Sequence, residues 1–260
     1  MKKLSVFLVF IFMATLNLFS KVDFAYPENV IKESTSQIEK AIKTNDTQNL
    51  VDGIIKLGIA KTLISQDYLP EVVNTTDSIA NASTDMIAKA LLYSIEADML
   101  SDFLDNNKYF IYEREQTTKR PDDINKWATA DFHEKIMELI SASLAEKELL
   151  LATPAEEYLN ILTPKDYDRK VFPTLYDLLA HHFVEMLEPI ANGKFPFPLW
   201  RGYDYYIINP ITIKPDKDAN VMQNDILASL INVNAKNIPA LIYTETKRIK
   251  LCISDRKRAY

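Results

Sequence analysis

The segment VFPTLYDLLAHHFVEM, Val171 to Met186, holds two of the chain's three histidines side by side. Asp177 and Glu185 stand one helical turn before and after His181. Imidazole and carboxylate at this spacing are the raw materials of a zinc site or an acid–base pair. Zinc, however, takes three or four ligands that converge on a point, and residues stacked up one helix converge poorly. Charge pairing along a helix surface accounts for His181, Asp177 and Glu185 at less cost. At 100° per residue, Leu175, Leu178, Leu179, His182, Phe183 and Met186 share one broad face. His182 is therefore expected in the core with one ring nitrogen satisfied, and His181 on the polar stripe. Thr174 with Asp177 three positions on is a capping-box pattern, which places the helix start there.

The remaining candidates are weaker. The third histidine opens HEKIM (133–137), where Met137 stands in place of the second ligand of a zinc-protease H-E-x-x-H motif. The lone Cys252 has no histidine or carboxylate pattern around it and is expected to be a small apolar residue. No catalytic, cofactor-binding or metal-binding residue is expected.

The elements that carry these residues are helical. Four glycines in 260 residues argue against a fold of tight β turns and against a glycine-rich phosphate loop. The formal charge of −6 provides no global attraction to nucleic acid or to an anionic membrane. Lys2 and Lys3 precede the apolar run LSVFLVFIFMATLNLF, and Ser20 supplies a small cleavage residue. A signal peptide over 1–20, export, and a mature chain starting near Lys21 follow as expectations. The location is then the periplasm or an outer-membrane-associated site, with membrane contact only through the signal segment if it is uncleaved. Loss of Lys2 and Lys3 takes the charge from −6 to −8.

A helical-repeat region is expected over 21–106. NVIKESTSQIEKAIKT puts Ile31, Ile38 and Ile42 at near-helical spacing, and TQNLVDGIIKLGIAKTLIS puts Leu50, Ile54 and Leu57 on one side. LPEVVNTTDSIANA is a shorter helix with Pro70 in its first turn, and TDMIAKALLYSIEADMLSDFL is the longest and most apolar. A shift of 37 residues superposes Leu50 on Ile87, Ile54 on Leu91, Ile55 on Leu92, Ala60 on Ala97 and Leu63 on Leu100. That period, near the tetratricopeptide repeat's, predicts an all-α fold of stacked αα-hairpins, tetratricopeptide-like in geometry only.

A second helical region is expected over 107–260. It begins with a polar stretch between Leu104 and Ile124. A single long amphipathic helix from Ile124 to Ala152 follows, capped by Asp122 or Asp123, and then a short helix in PAEEYLNIL. After the histidine helix, residues 193–215 form a loop rich in proline and aromatics. Its Phe195, Phe197, Trp200, Tyr203, Tyr205 and Tyr206 suit either a platform for a partner or a strap that fills grooves of a helical body. NDILASLINV and NIPALIYTETKRIKLCIS are expected as the last two helices.

RPDDINKW, ISASLAEKELL, YLNIL and FPTLYDLLAHHFVEML occur in this order. They resemble the N-terminal helical region of bacterial exported alpha-2-macroglobulin family proteins. ALLYSIEADMLSDFLDNNKYFIYEREQT and ALIYTETKRIKL resemble further segments of that region, so the likeness spans roughly residues 35–255. Within the Pro173–His181 block and just after it, His182 and Phe183 replace the family's more usual Arg-Ala. The resemblance implies a non-catalytic module, a fragment or truncated member that serves as scaffold or contact surface in an endopeptidase-inhibitor, protease-trapping system. Its partner would be protein: the remaining macroglobulin-like domains or a periplasmic partner. The family's thioester motif of the C-x-E-Q kind is absent, because Ile253, Ser254 and Asp255 follow Cys252. A free-standing periplasmic helical-repeat adaptor that binds a peptide or protein is the alternative. An enzyme is disfavoured by the lack of a recognisable nucleophile–base pair.

Overall fold

A computed structural model of the chain describes residues 23–162, 167–192 and 216–256. Among these residues the fold is all-α. Nine α-helices form and no strand does; the only β feature is an isolated antiparallel bridge between Pro154 and Thr174. The chain divides into two units after Leu179.

In the first unit, α1 (Pro27–Thr44) and α2 (Thr47–Ile64) form one hairpin, and α3 (Leu69–Ala82) and α4 (Met86–Ile111) form the next. α2 packs on α1, α3 and α4, so the hairpins stack as the 37-residue period predicts. The turns are set locally. α1 ends on Asn45 in the left-handed region (φ 52°), which closes the short link to α2. Asp46 caps α2 by accepting from Asn49 N–H, and Asp85 caps α4 by accepting from the N–H groups of Ile87 and Ala88.

Superposed positions agree where both helices are enclosed: Ile54 and Leu91 are sealed, as are Ala60 and Ala97. They part at Leu63, which is exposed, and Leu100, which is buried. α4 has α5 as an additional neighbour. In α1 the buried row is Val30, Ser34, Ile38 and Ala41, so Ile42, expected inside, lies exposed one position off it.

Two boundaries differ from expectation. α4 continues to Ile111, through residues expected to be loop, because Lys108 and Ile111 are buried and anchor its last turns. The expected long helix 124–152 is broken into a 3-10 turn (Ile124–Lys126), α5 (Thr129–Ser143) and α6 (Lys147–Ala152). Asp123 caps the turn, and the Asp131 carboxylate accepts from Ala128 N–H to start α5 afresh. A 3-10 turn, Ala155–Tyr158, stands where PAEEYLNIL begins. Ala155, Phe172 and Leu178 form a satellite core beneath it.

α7 (Leu175–Asn192) crosses the division. It starts as its sequence pattern predicts: Asp177 N–H donates to Thr174 Oγ1 at 3.2 Å, and Thr174 N–H donates to Asp177 Oδ2 at 3.2 Å. The second unit continues with α8 (Lys217–Val233) and α9 (Ile238–Arg256), packed on each other. The aromatic residues Phe195, Phe197, Trp200, Tyr203, Tyr205 and Tyr206 lie outside the described residues, as does the segment 1–20 expected to be a signal peptide.

Candidate functional site

In the first unit a cluster of ionisable residues forms around the buried Glu96 where α3, α4 and α5 pack. Lys135 Nζ on α5 stands 3.3 Å from Asp77 Oδ1 on α3 and 3.3 Å from Glu96 Oε1 on α4. Asn81 Nδ2 donates to Asp77 Oδ2 at 2.9 Å and Tyr93 Oη donates to Asn81 Oδ1 at 3.0 Å, extending the network outward. Glu96 has no exposed surface. Its carboxylate is ion-paired to Lys135, but neither oxygen receives a well-aligned hydrogen bond. Burial therefore dominates and pushes the Glu96 carboxyl up to about 7, with Lys135 opposing the shift and Asp77 adding to it. Burial works to lower the Lys135 ammonium, yet Glu96 and Asp77 outweigh it and hold the group above its usual range.

A carboxyl that titrates near neutrality suits general acid–base work, but the catalytic group must reach a substrate. At 0% exposure Glu96 has no surface on which to meet one. The cluster instead pins three helices together. Ser143 Oγ, donating to Ala90 O at 2.8 Å, adds a neutral pin between α5 and α4.

In the second unit the two histidines exchange their expected places. His181 is buried at 3% exposure, and His182 is exposed. The helical period defined an apolar and a polar side of α7, but α9 covers part of the polar side. Tyr243 of α9 meets the His181 ring edge-on at 5.1 Å, and Thr244 Oγ1 lies 3.2 Å from His181 Nε2. The Thr244 hydroxyl donates to Ala240 O at 2.9 Å. Its proton being committed, it accepts from His181, which assigns the imidazole proton to Nε2. Glu185 pairs with Lys247 of α9, so its partner is across helices and not along α7. Gln223 of α8 donates to Val184 O at 2.8 Å and closes the three-helix contact.

A threonine hydroxyl beside an imidazole has the outline of a nucleophile–base pair. Three observations remove that reading. Thr244 is 0% exposed, its proton is engaged by a backbone carbonyl, and burial with nearby Lys247 depresses His181 to about 3, too weak a base for such work.

Among the described residues no group of three or more His, Cys, Asp or Glu side chains is placed to hold a metal ion. Sequence reasoning missed both buried clusters. One signal was available: Glu96 is an acid set in an apolar stretch of α4, with Leu92 and Leu100 one turn to either side. Comparison of the chain with protein-family models, curated proteins and solved structures returns no match.

Proposed function

We propose that the chain is a non-catalytic helical module of alpha-2-macroglobulin-like kind, a scaffold or contact surface in an endopeptidase-inhibitor system outside the cytoplasm. The observation that carries this reading is that the ordered blocks of the resemblance are the residues that build the fold. In RPDDINKW, Arg120 stacks over the Trp127 ring at 5.4 Å and pairs with Glu138 at 2.9 Å, while Trp127 Nε1 donates to Pro121 O at 2.6 Å. In FPTLYDLL, Thr174 and Asp177 cap α7, and Leu175 and Tyr176 are buried. Both buried polar clusters serve helix packing, which leaves the outer faces of the hairpins as the surfaces for a protein partner.

The trapping step would belong to β-domains and a bait segment outside these 260 residues. The purified chain in molar excess should therefore leave common endopeptidases fully active on a large protein substrate. Strong inhibition that is lost on cleavage of one loop would refute the assignment. A reading frame encoding macroglobulin-like β-domains beyond the codon for Tyr260 supports this module over a free-standing periplasmic adaptor. Mass spectrometry of the chain from its native host should find it without about its first 20 residues. An intact segment Met1–Ser20 on a soluble cytoplasmic protein would refute export.

A further inference from the structure

α9 has two unlike faces. Ala240 and Thr244 are sealed against the second unit, whereas Ile238, Ile242 and Ile249 are 58%, 60% and 53% exposed. At 100° per residue these three isoleucines fall within about 40° of one another, in a row about 16 Å long. Arg248 and Lys250, both exposed, lie about 100° to either side of the row's centre. Glu245, at the row's edge, is neutralised by Arg248 at 2.8 Å. From Glu245 to Tyr260 the sequence carries six cations (Lys247, Arg248, Lys250, Arg256, Lys257, Arg258) against two anions, within a chain of net charge −6.

We propose that α9 is a peripheral membrane-docking helix, its isoleucine row entering an anionic lipid surface and its flanking cations meeting the headgroups. An exposed apolar row flanked by basic residues is the pattern of helices that lie in the plane of such a surface. The row is aliphatic and one residue wide. A fitted protein interface instead relies on aromatic or arginine anchors seated in pockets, whereas a fluid lipid surface accepts a narrow row and lets Arg and Lys stems lie along it. The acidic remainder of the chain is repelled by the same surface, so only the α9 side approaches. No helix among the described residues is long and apolar enough to cross a membrane, and docking through α9 needs none.

The test is flotation of the full chain with vesicles of equimolar phosphatidylcholine and phosphatidylglycerol, and with phosphatidylcholine alone. Each cation near an anionic surface gives about a fivefold gain in partitioning. The anionic vesicles should therefore bind at least about tenfold more tightly than the neutral ones, less so at high salt. Ile242→Ser with Ile249→Ser, and separately Arg248→Gln with Lys250→Gln, should each lower anionic binding about tenfold or more. All four residues are exposed, so both variants should keep the parent melting temperature, which is measured alongside. Every variant shares residues 1–20, so the differences among them report α9 alone. Equal binding to both vesicle types, or variants that bind like the parent, would overturn the proposal. So would a lack of binding to anionic vesicles, which would leave an acidic protein as the partner of this face.

Discussion

Replacing Glu96 by Gln removes a carboxyl that is fully buried and pushed up to about 7 from an ordinary value of 4.5. Because the folded state holds this proton more tightly than the unfolded state, folding gains stability as pH falls from about 7 to 4.5, and loses it as pH rises through that window. Between pH 8 and pH 5 the gain is roughly 2 to 3 kcal/mol. His181 acts in the opposite sense. Its folded value of about 3 lies below the ordinary 6.5, so the unfolded state binds the extra proton and acid destabilises. Over the same interval that loss is about 2 kcal/mol. The two contributions nearly cancel in the parent protein, which should show almost no change from this pair. Glu96→Gln should unmask the histidine and lose about 2 kcal/mol on acidification relative to its own stability at pH 8. The assay is urea unfolding followed by circular dichroism at pH 5, 6, 7 and 8, with the difference between parent and variant plotted against pH. Subtraction removes His181 and every other shared group. A difference that stays constant across the four pH values would refute the assignment of a raised Glu96 carboxyl.

Other perturbations of the same packing have defined outcomes. His181→Gln, which retains a donor for Thr244, should become more stable on acidification from pH 8 to pH 5 by roughly 2 to 3 kcal/mol, measured by the same unfolding curves. Lys135→Met strips the ion-pair partner from a buried carboxylate and should cost about 3–5 kcal/mol at pH 8. That cost should shrink at pH 5, and Glu96→Gln in the same chain should restore much of it. Gly53→Ala would place its Cβ 2.8 Å from the buried Ile38 Cγ1 and should destabilise by about 1–3 kcal/mol. Gly58→Ala crowds only the flexible Met99 Cε, at 2.9 Å, with Val72 Cγ1 at an ordinary 3.6 Å, so the helix-propensity gain of up to about 1 kcal/mol should make its melting temperature higher than that of Gly53→Ala. His182→Ala, at an exposed position, should stay within about 0.5 kcal/mol of the parent.

What the sequence made legible was whatever is encoded within one turn or one hairpin. Pro70 and the apolar rhythm after it located α3. Thr174 and Asp177 announced the start of α7 three residues apart, and they bond as that pattern requires. The 37-residue period captured the stacking of α2 against the α3–α4 hairpin, because packing on a common core repeats the same apolar positions. The breaks after Trp127 and Ser143 were illegible for a related reason. Apolar spacing continues across both, and only the Asp131 cap at the first and a short non-helical link over 144–146 at the second interrupt the helix.

The candidate sites were harder to read because their partners lie far apart in sequence. A helical wheel shows that α7 has two kinds of surface; it does not show that a helix some sixty residues later will cover the more polar one. Thr244 and Tyr243 carry no mark in the sequence as the neighbours of His181, and without them the wheel assigns the wrong histidine to the interior. Glu96 and Lys135 present the same problem on a shorter span. An acid inside an apolar helix is visible, but the lysine that answers it sits on α5, where it looks like one of several solvated charges. The charge of α9 shows the converse. Its four cations are countable in sequence, yet a basic stretch in an acidic chain looks like ordinary surface until the structure shows Ile238, Ile242 and Ile249 on the same helix to be uncovered. Sequence supplies the charge and structure supplies the exposed face; only the two together define a surface that can dock.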